Sequence, residues 1–585
     1  MLTKEHVQSR KELQIRSERV DDIVVLIGIM VRMGLPQVLD NYIPVHWKQR
    51  ELSWGWTAVI GLASILSEGD HRKVVVRQSV KNLQQTLSEV TGECVSALDF
   101  TDDRLGIVLK YLSQPSYWEQ IEAELNRNTI RVYGLETAVG RCDATTASGY
   151  HEVRAGGLFQ FGQSKDDPSL PPIKLMTGAL DPLGMPLATE VVSGEQADDG
   201  LYIPIIDRRH TVLQQQGVLY GGDCKLSAFE TRMHIKGLKS HYLCPLPQTG
   251  KTPEAMEEWV RDGIVRAKKK PLRDVVVTQA NDEEVVVAAG YEVERQQSGV
   301  VNGEKIEWTE RVLVVKSFNH ATQQERGFEK RLQHAEEKLY ALTPPRGRGK
   351  RQMTEEETLK AAIEEIEKTY RVEGLLTVTY EREVERNTKY VGRGRGGANR
   401  QHEVVENIRA HITSVTRDEQ KIEDVKETFG WRAYVTDTPR ERLCLEDAVT
   451  LYRQECRIER IFDRLKNRVN LVPMYVQEPD QVTGLTHLLT LGVRVLTLIE
   501  FVVRRSLEQD QTALPGLHAE HHQKTTTRPT SERLLKAFEG ITLTIIHVKD
   551  QIIRHLTPLS DLQKEILKRL ELDDALYQDL EIHET

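Results

Sequence analysis

LYRQECRIERIFDRLKNRVN, residues 451–470, is the stretch that decides how this chain is interpreted. It contains no proline or glycine and is rich in arginine, leucine and glutamate, so it is predicted to form a helix. On a wheel of about 100° per residue, its apolar residues form one stripe that should pack against a core. These residues are Leu451, Ile458, Ile461, Phe462 and Leu465.

The charged residues of the same stretch fall on two further faces. Opposite the apolar stripe lie Arg453, Arg457, Arg460, Arg464 and Arg468. Between these two faces, within an arc of roughly 60°, lie Tyr452, Glu455, Glu459 and Lys466. An amphipathic helix with a solvated charged face would explain the pattern. The alternative is a functional face, in which a carboxylate is flanked by a phenol and an ammonium group.

Composition places the chain among globular proteins. Its 585 residues are 39% hydrophobic and 29% charged, which is typical of a soluble protein of several domains. The net charge of −9 excludes a generally basic surface, so nucleic acid would have to bind along local grooves. The six cysteines form no CxxC pair and indicate reduced thiols of a cytosolic protein, not a zinc site or a disulfide framework.

No membrane segment is predicted. The first 22 residues are too polar for a signal peptide. The apolar run from Val482 to Val503 approaches membrane length but contains His487, Arg494 and Glu500. We therefore predict a buried core helix for this run.

The pattern changes from helical to β-like at about residue 137. Residues 1–130 have apolar spacings near 3.6 and predict a helical N-terminal region. TAVGRCDATTASGYHEV then carries Asp143, IKLMTGALDPLGMPLATEVV predicts a hairpin, a helical segment follows, and VLYGG delivers Asp223 at its end. A lone aspartate at a strand end is usually a turn or cap residue. The neighbouring Cys142 and Cys224 are expected to be packing residues that point the opposite way.

The spacing of Tyr452, Glu459 and Lys466, in steps of seven residues, resembles the Tyr-Arg-Glu-Lys signature of bacterial insertion-sequence transposases of the Asp-Asp-Glu type. IERIFDRLKNR also resembles that family. The order of strand with Asp143, hairpin, helix and strand with Asp223 is that of an RNase H-like core. One position departs, because Glu455 stands where the family has arginine. Either Arg453 or Arg457 takes over the phosphate-binding role of that arginine, or the role is weakened.

The resemblance implies an α/β fold: an RNase H-like catalytic core interrupted by a mainly β insertion domain, with helical N-terminal and C-terminal regions. The insertion would occupy residues 251–429, with helical pieces near 322–342 and 354–370. Two basic loops, PPRGRGKRQ (344–352) and KYVGRGRGGANR (389–400), are expected either to contact DNA or to be solvated linkers. The arginines proposed for DNA contact are Arg346, Arg348, Arg393 and Arg395.

The remaining boundaries follow from the same pattern. Residues 137–250 and 430–505 would form the two parts of the catalytic core, and GWRAYVTDT (430–438) would return the chain to it. A polar linker is predicted for 506–531 and a helical C-terminal tail for 532–585. The resemblance implies that the N-terminal region of 1–130 recognises DNA ends, whereas a helical scaffold for dimerisation explains the same residues.

By the resemblance, Asp143, Asp223 and Glu459 hold two Mg²⁺ or Mn²⁺ ions, which suit hard oxygen ligands. Lys466, Tyr452 and either Arg453 or Arg457 would contact phosphate groups. The expected activity is metal-dependent cleavage at the ends of an insertion sequence and strand transfer into target DNA.

The expected partners are terminal inverted repeats, target DNA and a second copy of the chain. The expected location is the cytoplasm, in association with the nucleoid. Two alternatives remain open: a catalytically inactive DNA-binding protein derived from a transposase, and an RNase H-like nuclease without joining activity.

Overall fold

The computed structural model describes residues 13–45, 51–250, 252–278, 283–301, 303–345, 353–392, 401–454, 456–517, 524–548 and 551–581. The architecture is mixed α/β, with a large mixed sheet and many helices. The chain forms two compact units. The first comprises Met1–Cys244, Gln297–Trp308 and Leu451–Thr585, and the second comprises Pro245–Gln296 and Thr309–Thr450.

The first unit begins with one strand followed by helices. They are β1 (Leu13–Arg19), α1 (Ile23–Arg32), α2 (Leu35–Tyr42), α3 (Trp54–Glu68), α4 (Lys73–Asn82), α5 (Gln84–Thr91), α6 (Asp102–Ser113) and α7 (Pro115–Tyr133). The Ser53 side chain caps α3 by accepting a hydrogen bond from the Trp56 amide, and Gly69 ends the helix with a φ of +66°. The helical region therefore extends slightly beyond the predicted residue 130, and β1 was not predicted.

The middle of the first unit contains the strands that carry two of the predicted acids. Its elements are β2 (Val139–Ser148), β3 (Pro172–Asp181), β4 (Met185–Ser193), α8 (Tyr202–Leu213), β5 (Leu219–Gly222), α9 (Phe229–Gly237) and β6 (His241–Pro245). The strands lie in the order β4-β3-β2-β5-β6. Strand β2 is antiparallel to β3 and parallel to β5, and β5 is parallel to β6. Every residue of β3 is buried, as expected of a strand covered on both faces.

The second unit combines strands and helices. Its elements are α10 (Thr252–Lys269), β7 (Arg273–Thr278), β8 (Glu284–Val301), β9 (Glu304–Ser317), α11 (Phe318–Leu342), α12 (Glu356–Tyr370), β10 (Leu376–Tyr390), β11 (His402–Arg417), α13 (Glu419–Glu427) and β12 (Trp431–Thr436). Residues 297–301 of β8 and 304–308 of β9 belong to the first unit. Helices α11 and α12 lie where helical pieces were predicted. Strands β10 and β11 pair antiparallel, and the other strands of this unit lie in the order β12-β9-β8-β7.

The predicted return of residues 430–438 to the catalytic core stays a prediction, and the segment forms β12. Strand β12 pairs antiparallel with β9, so that Ala433 lies opposite Val314 and Val435 opposite Val312. These apolar residues are all buried. The apolar positions of β12 therefore match those of β9 within the second unit.

The stretch 451–470 is not one helix. It contains the end of α14 (Leu445–Arg453), α15 (Cys456–Asp463) and a π-helical turn (Arg464–Arg468). At the first break, the Leu451 carbonyl accepts hydrogen bonds from the Gln454 amide at 3.2 Å and from Nη2 of Arg141 at 2.7 Å. The first of these is a tight i to i+3 bond, which redirects the chain. Composition carries no signal for this break, because the arginine that captures the carbonyl lies on β2.

The apolar run after this stretch forms α16 (Pro479–Gln509), a core helix of the first unit. By length and composition it would be long enough to cross a membrane, but 94% of its most apolar window is buried in the protein. Buried Arg494 donates from Nη1 to Oδ1 of Asn126 at 2.8 Å and from Nη2 to Oε1 of Glu122 at 3.1 Å. The charge of Arg494 is therefore paired inside the fold, as burial of a charged side chain requires.

The C-terminal region differs from the predicted helical tail. It contains α17 (Ser531–Lys536), β13 (Thr542–Val548), β14 (Gln551–Leu556), α18 (Asp561–Arg569) and α19 (Ala575–Gln578). Gly540, with a φ of +93°, follows α17, and the β-branched TLTIIHV favours a strand. Strand β13 pairs with both β14 and β1, so the tail is joined to the start of the chain.

The predicted linker of residues 506–531 overlaps α16, which ends at Gln509, and contains a bridge between Leu514 and Thr526.

Candidate active site

Asp143 lies on the central strand β2, between β3 and β5. Its side chain is 14% exposed. Oδ1 accepts a hydrogen bond from the Ala144 amide at 2.7 Å and lies 3.9 Å from Nζ of Lys165. One oxygen of this carboxylate is thus oriented by the protein at the surface of the sheet.

Asp223 immediately follows the neighbouring strand β5, which ends at Gly222. Strands β2 and β5 are parallel, and Cys142 is paired with Gly222. Each aspartate immediately follows one member of this pair. Because neighbouring strands lie about 4.8 Å apart, the register brings the backbones of the two aspartates next to each other at the carboxyl end of β5.

A buried phenol orients Asp223. The Tyr202 hydroxyl donates to Oδ1 of Asp223 at 2.6 Å, and the Lys225 amide donates to the same oxygen at 2.9 Å. Burial, followed by the charges of Asp223 and Asp143, raises the pKa of Tyr202 well above its usual value. Tyr202 therefore remains a neutral donor, and its sensitivity to both carboxylates is consistent with their proximity. The sequence carried no signal for this residue, because its role depends on how α8 packs beside β5.

The two cysteines beside the acids differ in burial. Cys142 is buried, and burial raises the pKa of its thiol to about 12. This protonated thiol is an internal packing group, as predicted. Cys224 is only partly buried, so the prediction of a packing residue describes it less well.

Glu459 lies on α15, which packs against β2. The neighbouring Ile458, Ile461 and Phe462 are buried, whereas the Glu459 side chain is exposed. Among the described residues, no group of three or more His, Cys, Asp and Glu side chains is close enough to hold a metal ion. The structure thus brings the two aspartates together and places Glu459 on a helix beside them, without joining all three in one coordination shell.

An ion-pair network ties the helical stretch to the strands. Buried Asp181, at the end of β3, accepts hydrogen bonds from Arg141 at 2.6 Å and from Nη1 of Arg457 at 2.8 Å. Arg141 also binds the Leu451 carbonyl, as described above. This network fixes the position of α15 relative to β2, and it gives Arg457 a structural contact beside its predicted role in phosphate binding.

Lys466 and the loop between β2 and β3 form a further part of the site. Nζ of Lys466 donates to Oδ1 of Asp166 at 2.9 Å, and Nζ of Lys165 donates to the Ala144 carbonyl at 2.7 Å. The Lys165 amide donates to Oγ1 of Thr146 at 2.8 Å, which anchors the loop to β2. Lys165 and Asp166 were missed because they lie in a polar loop without a motif.

The predicted arginine face is not a single exposed ridge. Arg453 is exposed, but Arg464 is buried and donates to Glu500 and to Oγ of Ser531. Arg460 donates to Oε2 of Glu500 at 2.7 Å. The helical-wheel prediction was wrong here because it assumed one regular helix facing solvent. The segment is instead broken and lies beside Glu500 of α16.

Several predicted residues have less defined outcomes. Tyr452 is partly buried on α14, so the seven-residue series of Tyr452, Glu459 and Lys466 falls on three different elements. Glu455 and the loop arginines lie outside the described residues. The loop arginines are Arg346, Arg348, Arg393 and Arg395.

Comparison with known proteins gives little further information. No family model matches the chain, and no curated protein matches it. A solved structure that does match is a piggyBac transposase synaptic complex with hairpin DNA, at 9% sequence identity and a TM-score of 0.27. The match covers 52% of this chain and 60% of that chain. A likeness of this size carries no argument about the fold or the activity of this chain.

Proposed function

We propose that this protein is a DNA transposase of the Asp-Asp-Glu type, which cleaves the ends of an insertion sequence in a metal-dependent reaction and joins them to target DNA. The observation that carries the proposal is the register of β2 and β5, which places Asp143 and Asp223 side by side. The packing of the Glu459 helix against β2 supports it.

The strand order supports an RNase H-like core. Three antiparallel strands, β4, β3 and β2, are followed at the other edge of β2 by the parallel strands β5 and β6. In this arrangement the first acid lies on the central strand and the second lies at the end of its parallel neighbour. Ligands of open α/β sheets bind at such carboxyl ends.

The donor set fits a hard divalent cation. Asp143 and Asp223 would hold the ions with their carboxylate oxygens, and Glu459 would complete the site when its side chain turns toward β2. Bound Mg²⁺ or Mn²⁺ supplies an activated water and stabilises charge on the leaving 3′ oxygen.

The other residues of the proposed site orient one carboxylate and supply a positive charge. Tyr202 and the Lys225 amide hold one oxygen of Asp223, which leaves Oδ2 for the ligand. Lys466 would bind a phosphate group after exchanging Asp166 for DNA. The proposed partners are terminal inverted repeats, target DNA and a second copy of the chain, at the nucleoid.

A catalytically inactive DNA-binding protein is the second candidate. The observation that favours it is the absence, among the described residues, of three acids within one coordination distance. An RNase H-like nuclease would have the same two aspartates and differ only in lacking the joining step.

The test uses the full-length protein and DNA that carries the two ends of the element flanking its gene. A transposase cleaves these ends with Mg²⁺ or Mn²⁺ and joins the freed 3′ end to a supercoiled target plasmid. Cleavage without joined products would indicate the nuclease, and end binding without cleavage in either metal would refute the enzymatic proposal.

A further inference from the structure

A cavity of 580 Å³ lies in the first unit, beside α15 and the second half of α16. Segments 134–136 and 182–184 also line it. Its charged lining consists mainly of arginines: Arg457, Arg460, Arg464, Arg504, Arg505 and Arg528. The carboxylates of Asp143, Asp223 and Glu459 do not line this cavity.

The arginines of this cavity, named above, are only partly neutralised. Six arginines face three glutamates, Glu136, Glu500 and Glu508, which gives the lining itself a net charge of +3. Two acids behind the lining reduce this excess, because Asp181 accepts from Arg457 at 2.8 Å and Glu532 lies 3.4 Å from Nε of Arg464. Buried Glu500 accepts hydrogen bonds from Arg460 at 2.7 Å and from Arg464, and it forms an ion pair with Nη1 of Arg504 at 2.5 Å. One carboxylate is therefore shared by three guanidinium groups.

The guanidinium groups of this cavity also lie close enough to repel one another. Burial lowers the pKa of Arg504, Glu500 opposes that shift, and the charges of Arg460, Arg464 and Arg528 lower it further. The Arg528 side chain is exposed and makes no hydrogen bond or ion pair with a described residue. Arg528 thus adds a cation that no described carboxylate balances.

We propose that this arginine cavity is a binding site for phosphate groups, separate from the carboxylates of Asp143 and Asp223. Guanidinium groups bind phosphate oxygens in a forked geometry, and a multiply charged anion matches a lining of net positive charge better than a single carboxylate does. The volume lies within the range of small-molecule sites. The phosphates would belong to a free anion or to a DNA strand. The proposal does not depend on cleavage activity.

The first test is calorimetric titration of the full chain with inorganic pyrophosphate, without divalent metal. Saturable binding is expected, and Arg528→Ala should weaken it about tenfold, because a hydrogen bond to a charged group is lost. Arg127→Ala, which removes an exposed arginine that does not line the cavity, is the matched control. Absence of saturable binding, or an equal loss in both variants, would overturn the proposal.

A second variant changes the affinity in the opposite direction. Glu508 is an exposed acid of the same lining, so Glu508→Gln should tighten pyrophosphate binding several-fold by raising the net positive charge. A misfolded variant would not produce this gain. Unchanged or weaker binding by a folded Glu508→Gln protein would contradict a phosphate site.

Competition identifies the source of the phosphate. If pyrophosphate displaces a labelled single-stranded oligonucleotide and Arg528→Ala weakens its binding, the site takes strand phosphates. If pyrophosphate binds but the oligonucleotide is unaffected, it takes a free anion. Asp143→Asn should leave pyrophosphate binding unchanged, so a failed cleavage assay and a failed phosphate site are distinguishable.

Discussion

The strand side and the helix side of the proposed active site are built in different ways. On the strand side, backbone pairing of β2 with β5 fixes Asp143 and Asp223 at adjacent positions. On the helix side, Glu459 is exposed on α15, and the position of this short helix depends on side chains, above all on the buried Asp181. Backbone pairing thus fixes the two proposed strand-side ligands, whereas ion pairs that substitutions can disturb set the position of the proposed third ligand.

The largest expected effect is loss of end cleavage when one of the three proposed metal ligands is substituted. Asp143→Asn and Asp223→Asn should each lower end cleavage by about 10³-fold or more, because loss of a metal ligand removes several kcal/mol of transition-state stabilisation. Glu459→Gln should have a similar effect if the helix side completes the site. Cleavage of labelled end DNA measures the loss, and a binding assay with the same DNA is the control. A Glu459→Gln protein that cleaves like the wild type would restrict the site to the strand side.

The second prediction concerns the ion pairs of Asp181, which join the strand side to the helix side. Asp181→Asn removes the carboxylate shared by Arg141 and Arg457, and Arg141 and Asp181 are both buried. Breaking such a pair should lower the free energy of unfolding by about 3–5 kcal/mol.

Urea denaturation measures this change in stability. Arg457→Ala is the control, because its guanidinium is partly exposed and buried Arg141 keeps its partner. Its loss should be clearly smaller. Equal losses would show that Arg457, not the Asp181 carboxylate, holds the helix in place.

The third prediction tests the hydrogen bond that orients Asp223 on the strand side. Tyr202→Phe removes the 2.6 Å hydrogen bond to Asp223 but keeps the buried ring. A hydrogen bond to a charged group contributes about 1.5–3 kcal/mol, so cleavage should fall by roughly tenfold or more.

Raising the Mg²⁺ concentration should partly restore cleavage if Tyr202 positions a metal ligand. A merely structural role would show no such rescue. The control is Tyr133→Phe, because the buried Tyr133 hydroxyl has no hydrogen-bond partner among the described residues. Its cleavage rate should match that of the wild type.

The smallest effect distinguishes two arginines of the helix side. Arg453 is exposed, so Arg453→Ala should leave the melting temperature unchanged and reduce end cleavage several-fold if it replaces the missing signature arginine. Arg464 is buried against Glu500, so Arg464→Ala should lower the melting temperature instead. Thermal denaturation and cleavage are measured on both proteins. An unchanged rate for Arg453→Ala would exclude it from phosphate binding.

The sequence was informative where function follows from strand order. Asp143 lies within one buried β run and Asp223 directly follows another. Their order along the chain predicted neighbouring strands. The long core helix α16 was predicted from a different signal, because Arg494 and Glu500 within its apolar run argued against a membrane span.

The sequence was least informative where contacts between distant segments decide the geometry. Arg141 binds the Leu451 carbonyl at the point where the predicted helix breaks, and a helical wheel contains no such contact. Lys165 reaches Asp143 from a loop without a motif. The arginine cavity combines residues of α15, the π-helical turn, α16 and Arg528, and their convergence depends on packing.

Binding of Mn²⁺ to the protein on its end DNA tests the central claim most directly, because it counts ions at the proposed carboxylates without requiring catalysis. Two ions per active site are expected, with weaker or lost binding in Asp143→Asn, Asp223→Asn and Glu459→Gln. Binding that is unchanged in all three variants would contradict a shared carboxylate site.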